Sequence, residues 1–174
     1  MSGIKESERT KLLIKKVFLR YCNEKNQKPN VKELCAQIGI NRGTFYNHYE
    51  SIDDLVSTLM NEADDTMDVH RSWMKNDLYK AVYDITNVFL KEREIMLVLL
   101  NPDLGFPYRN EIKTSIQLHF SQLLYSMNKQ DRDYISEFAS NGILNTTHKW
   151  IKEQVMDHKT FVNFLYSMIT KLIA

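Results

Sequence analysis

Apolar residues recur along this chain at intervals of three and four, and nowhere alternate with polar ones over the length of a strand. Ile14, Val17, Phe18 and Tyr21 share one face of a helix predicted over residues 7–23, with Lys11, Lys15, Lys16 and Arg20 on its other faces. A polar loop (23–30) ends in Asn30, a suitable N-cap for a short second helix over 31–38. Val31, Leu34, Cys35 and Ile38 point inward there, and Gly39 ends the helix by supplying the left-handed conformation that a helix end requires. Asn41 caps a third, very short helix over 42–48. Ser51 caps a fourth over 51–75, with Asp53 and Asp54 in the first turn, where the helix dipole favours negative charge, and Asp64 and Asp65 on a solvated face. Further helical patterns cover 78–91, 93–100, 109–127, 131–155 and 159–173. The clearest interior break is 101–108, which holds two of the three prolines. No repeat and no low-complexity segment is present, so the expected fold is all-α, with about nine helices.

One stretch departs from simple amphipathicity. "INRGTFYNHYESIDDL" (40–55) begins small, polar and basic, then places four rings within five positions, at Phe45, Tyr46, His48 and Tyr49. Two short helices joined through Gly39, Ile40 and Asn41 make a helix-turn-helix. The second must press its start against a duplex, so bulk is excluded there, and Gly43 lets the backbone approach a phosphate or base edge. Arg42 can donate two hydrogen bonds to guanine in the major groove, or one to a phosphate. Thr44 can bond a phosphate or touch a thymine methyl. The exposed N–H groups of the helix start attract a phosphate. Phe45 and Tyr49, four apart, should face the core, while Tyr46, Asn47 and His48 face the DNA.

Charge supports this placement. Residues 1–49 carry ten Lys/Arg against four Asp/Glu, and residues 50–174 carry thirteen against eighteen. The net charge of +1 conceals a basic third on an acidic remainder, which fits a local nucleic-acid surface and also an ordinary solvated face. Cys22 and Cys35 sit in helical apolar patterns and read as small core residues in a reducing compartment. The start, MSGIKESERTK, has no apolar signal-peptide region, and the longest apolar run, Ile95 to Leu100, falls far short of the ~18 residues of a spanning helix. A cytoplasmic protein with no membrane partner is the expectation.

"VKELCAQIGINRGTFYNHYESIDDL" resembles the N-terminal domain of TetR-family transcriptional regulators. That pattern runs from a helix through Ala-Gly-Val-Ser, a basic residue, Gly-Thr-Leu/Phe-Tyr, a variable residue and His/Tyr-Phe to a Ser-Lys-Glu-like start of the next helix. Residues 38–49 follow it position by position, and the likeness covers about 8–60. It implies an N-terminal three-helix helix-turn-helix DNA-binding domain (1–50), the fourth helix (51–75) as connector, and a C-terminal helical ligand-binding and dimerisation domain (51–174). It also implies that the Tyr46 hydroxyl meets a backbone phosphate; the short reach of His48 suits a phosphate too. Asn41 stands where the family has Ser and is counted with Arg42, Gly43, Thr44, Tyr46, Asn47 and His48 among the expected DNA-binding residues, Ile38 replaces a small Ala, and Ile52 replaces a Lys that contacts phosphate in relatives. Lys28 and Lys32 are candidates to replace that contact at the groove edge.

The rest of the chain resembles the family in architecture and, near its end, in sequence. "YISEFASNGILNTTHKWIKEQVMDHKTFVNFLYSMI" looks like one C-terminal subtype. Ile135, Phe138, Ala139, Gly142, Ile143, Thr146 and Trp150 form one stripe, and Phe161, Phe164, Leu165, Met168, Ile169 and Leu172 another. The resemblance implies that these helices pair with their copies in a four-helix bundle, making a homodimer; stripes that face only their own core are the alternative. A symmetric dimer reads two half-sites of a palindrome. The resemblance further implies an effector pocket among the middle helices. Its candidate lining is Tyr83, Met96, Leu99, Leu100, Phe106, Tyr108, Ile116, His119, Phe120 and Leu123, each equally open to a simple core role. No P-loop, GxSxG or HExxH is present, so enzyme chemistry has no support. No cofactor is expected, and no metal, since the five histidines lack ligand spacing; zinc sensing through His70, His119 or His148 is the only metal reading left. The function expected is a ligand-responsive DNA-binding repressor. A co-regulator of the same fold acting through a protein partner is the alternative.

Overall fold

The computed structural model describes the backbone of residues 2–68, 77–104 and 106–173, and the side chains of 6–63, 77–104 and 106–173. The described residues form nine helices and no strand. They divide into two compact units, Met1–Ala63 and Asp64–Ala174.

In the first unit, α1 (Ser2–Lys25) is longer at both ends than its apolar stripe. Ile14, Val17, Phe18, Leu19 and Cys22 are buried, and Tyr21 is left half-buried at the edge. α2 (Val31–Ile38) is fixed by a reciprocal cap. The Glu33 backbone nitrogen donates to Asn30 Oδ1, and the Asn30 nitrogen donates to Glu33 Oε2, both at 2.9 Å. Gly39 takes φ 81° and ψ 30°, and the nitrogens of Gly39 and Ile40 both donate to the Cys35 carbonyl. α3 (Arg42–Tyr46) stops two residues earlier than expected, because the His48 nitrogen turns back to the Phe45 carbonyl at 2.9 Å and tightens the last turn. α4 (Ile52–Asp68) is capped by Ser51, whose Oγ accepts from the Asp54 nitrogen, while the Glu50 nitrogen donates to Asp54 Oδ2. Leu55, Val56, Leu59 and Ala63 of α4 are buried, and the boundary between units falls within this helix, after Ala63. The expected continuation of α4 through 69–75 lies outside the described residues, as do the side chains of Asp64 and Asp65.

The second unit holds α5 (Leu78–Lys91), α6 (Arg93–Leu99), α7 (Pro107–Leu123), α8 (Lys129–Glu153) and α9 (His158–Ile173). α7 packs on α8, α5 on α9, and α6 against α7 and α8. α7 starts at Pro107, before the expected 109, because the first turn tolerates proline's missing N–H. Ile95 to Leu100 are all buried, so α6 is enclosed on every side beyond its first two residues, Arg93 and the exposed Glu94. Its end carbonyls still need donors. Arg109 Nη1 reaches the Leu100 carbonyl at 2.5 Å, and His148 Nε2 lies 3.1 Å from the Leu97 carbonyl. At the other end Arg93 Nε donates to the Ile151 carbonyl at 2.7 Å, capping α8. Burial holds the imidazole of His148 below its ordinary titration range, so the neutral ring donates through its Nε2 hydrogen. Trp150 stacks on Phe161 at 4.2 Å and donates Nε1–H to the Met156 carbonyl, which closes the α8–α9 turn. Among the described residues no helix is long and apolar enough to cross a membrane.

Tyr49 is 2% exposed, and its hydroxyl has no hydrogen-bond partner among the described residues. Burial first, then the carboxylates of Glu62, Asp54 and Glu8, push its pKa up to about 12. A raised folded-state value contributes stability that is complete below pH 10 and is lost as pH rises through 12. Tyr49→Phe removes the unpaired hydroxyl and should raise unfolding stability by about 1 kcal/mol at pH 7. Urea unfolding from pH 9 to 12 checks this: the variant should lose less stability than the parent above pH 10, the remaining loss including Cys22, whose thiol burial also pushes up to about 12.

Candidate nucleic-acid interface

The third helix has two unlike sides. Phe45 is fully buried and Tyr49 nearly so, their rings 5.8 Å apart, and Tyr46 meets the edge of Phe45 at 5.6 Å. The other side is open: Arg42, Gly43 and Asn47 are exposed, Tyr46 is 55% exposed, and Thr44 and His48 are half-buried. Inner rings thus fix the helix while its outer edge carries donors and one exposed phenol. Asn41 caps the helix through Oδ1, which accepts from the Thr44 nitrogen at 2.8 Å. Lys32 lies exposed in the first turn of α2, and Lys28 in the loop before it.

The thiols play no open part. Burial pushes both upward, opposed weakly by Lys28 at Cys22 and by Arg42 at Cys35, so both stay protonated at neutral pH.

In the second unit the two stripes expected at an interface divide. Ala139, Trp150, Phe161, Leu165 and Ile169 are buried inside their own unit. Ile135, Ile143, Thr146 and Leu172 are half-buried, and Phe138, Gly142, Phe164 and Met168 are exposed. A side chain closed within its unit has no face for a second copy, so the stripe narrows to the latter two groups. The expected effector lining divides likewise. Met96, Leu99, Leu100, Phe106, Tyr108 and Phe120 are interior, Ile116 and His119 half-buried, and Leu123 and Tyr83 exposed. Tyr83 lies against His158, ring centroids 4.7 Å apart. His119 is held below its ordinary titration range by burial, so it stays neutral at pH 7. No group of three His, Cys, Asp or Glu side chains converges among the described residues, and His70 lies outside them. The carbonyl-capping roles of Arg93, Arg109 and His148 had no periodic signal in the sequence, because their partners are 58, 9 and 51 positions away.

Residues 76–171, more than half the chain, match the TetR family model described as "Transcriptional regulator C-terminal region". The chain belongs to the TetR family of transcriptional regulators. Two solved structures share its fold. The fatty acid degradation regulator FadR from Bacillus halodurans superposes with a TM-score of 0.62 at 12% identity, covering 94% of each chain. NalD, the secondary repressor of the MexAB-OprM multidrug efflux pump in Pseudomonas aeruginosa, gives 0.52 at 15% identity, covering 94% of this chain and 96% of that one. No curated protein sequence matches this chain.

Ile52, the first residue of α4, is half-buried, and Asp53 beside it is exposed. Ile52→Lys adds one cation at this point. If it meets a phosphate, the slope of log K against log salt should steepen by about 0.9, with tighter duplex binding at low salt. Fluorescence anisotropy across a salt series measures both.

Proposed function

We propose that this TetR-family regulator is a homodimer that reads a palindromic DNA operator through α3 and acts as a repressor released by a small molecule. The observation that carries this reading is the division of α3 into a buried edge, Phe45 and Tyr49, and an open edge, Arg42, Gly43, Tyr46 and Asn47. A helix of five residues spans only a few base pairs, so a second copy is needed to specify a site. The exposed Phe138, Gly142, Phe164 and Met168, on the last two helices, offer an apolar surface for that copy. An effector would enter among the apolar residues around α6 and α7. Its signal would travel along α4, whose chain crosses from one unit to the next, and change the spacing of two recognition helices that must match one turn of DNA. DNA and effector would then weaken each other by the same factor.

A second reading, a co-regulator working through a protein partner, is favoured by Ile52 and the acidic first turn after it, where a phosphate is less welcome. One experiment separates the two. Selection from random duplexes with the purified protein should enrich a palindrome, and Arg42→Ala combined with Tyr46→Ala should abolish the enrichment. No enrichment from a folded, dimeric protein overturns the DNA reading and favours the protein partner.

A further inference from the structure

Among the described residues, no carboxylate is bonded to Arg109. Its guanidinium is half-buried where α6, α7 and α8 meet, and makes two hydrogen bonds, Nη1 to the Leu100 carbonyl and Nη2 to Asn145 Oδ1. Both partners are neutral. The ion pairs Lys15–Glu62, Lys80–Asp84 and Lys113–Glu137 do not include it. Burial pulls the group below its ordinary titration range, and no carboxylate opposes that pull. Arg93 differs, since both of its bonds go to carbonyls at the end of α8, where the helix dipole supplies negative charge. Arg109 spends one bond on the end of α6 and the other on a neutral amide within α8.

The unused donors are grouped. A guanidinium carries five N–H bonds, so three remain after these two. It only donates, so the Asn145 atom it meets is Oδ1, and Nδ2 on the same amide adds two hydrogens beside it. Asn145 is exposed, and no described group accepts from its Nδ2. The charged groups that bear on His148 at this junction are Arg109 and Lys152 against Asp103, a positive balance in the acidic part of the chain. Leu100 and Tyr108 are fully buried and Leu104 nearly so, which leaves the setting otherwise apolar.

We propose that Arg109 and Asn145 form a carboxylate-binding site and that the effector is an organic acid with an apolar body. This rests on the proposed effector response and names the class of molecule that drives it. A carboxylate brings one negative charge for one positive charge, and its two oxygens accept from donors fixed in a plane. A phosphate would bring more charge than one guanidinium balances, close to Asp103. Because the same guanidinium caps α6, a ligand that pairs with it acts on that helix end directly.

Isothermal titration calorimetry of the full chain at neutral pH tests this with hexanoate and benzoate, against hexanamide, benzamide and inorganic phosphate. Both acids should bind, and the amides, of the same shape without the charge, about tenfold more weakly or worse. Asn145→Asp is the decisive variant. It places a carboxylate on the guanidinium from within the chain, at an exposed position, so the unfolding midpoint should hold or rise while affinity for the acids falls about tenfold. The proposal is overturned if the amides bind as well as the acids, if phosphate binds in preference, if Asn145→Asp binds the acids within twofold of the parent, or if neither acid binds at roughly 10 mM. Affinity for the selected duplex separates the two levels. Acids that bind with the expected variant pattern should weaken it; acids that bind so and leave it unchanged would support the site and contradict the effector reading.

Discussion

Burial of Phe45 is the interaction on which the N-terminal unit depends. A helix of five residues has no stability of its own, since forming its first turn fixes more backbone freedom than one or two hydrogen bonds return. Phe45, with no exposed surface, and Tyr49 beside it tie the inner edge of α3 to the core. Two caps do the rest. Gly39 turns the chain out of α2 in the left-handed conformation, and Asn41 restarts it two residues later. The open edge of α3 has its direction because the other edge has none to choose.

The C-terminal unit solves a different problem. α6 is short, apolar and enclosed, and a buried helix end with unsatisfied carbonyls would be costly. Arg109 and His148 supply the donors, and Arg93 returns the favour to the end of α8. The Arg109 guanidinium also holds Asn145 at 2.8 Å, so α6, α7 and α8 meet at one charged group. In the proposed function, a shift in α7 or α8 would carry the end caps of α6 along. That is a physical basis for the proposed effector response.

Local signals were legible in the sequence to the residue. Asn30, Gly39, Asn41 and Ser51 act where their types said they would, because a cap depends only on neighbours three or four positions away. α5 fell on its predicted bounds for the same reason. The buried face of α8 was not legible: it runs through Ser136, Ala139, Ser140, Leu144, Thr147, Trp150 and Ile151, and shares only Ala139 and Trp150 with the apolar stripe. A small hydroxyl packs well against another helix when it can bond its own backbone, as Ser140 Oγ does to the Glu137 carbonyl, and hydropathy counts such residues as polar. Phe138 was thereby left outside and Trp150 drawn within. The outward residues of α3 were legible because the helix is too short for its faces to drift. The polarity of the Asn41 amide was not, since it depends on which atom Thr44 meets.

The open edge of α3 is the surface proposed to meet DNA, and the rest of the functional reading hangs on it. Hydrogen–deuterium exchange of the full chain, with and without the selected duplex, tests it most directly. Exchange should slow over residues 41–48, joined by the neighbourhood of Lys28 and Lys32. Unchanged exchange over 41–48 in a saturated complex, with protection elsewhere on the chain, would contradict it.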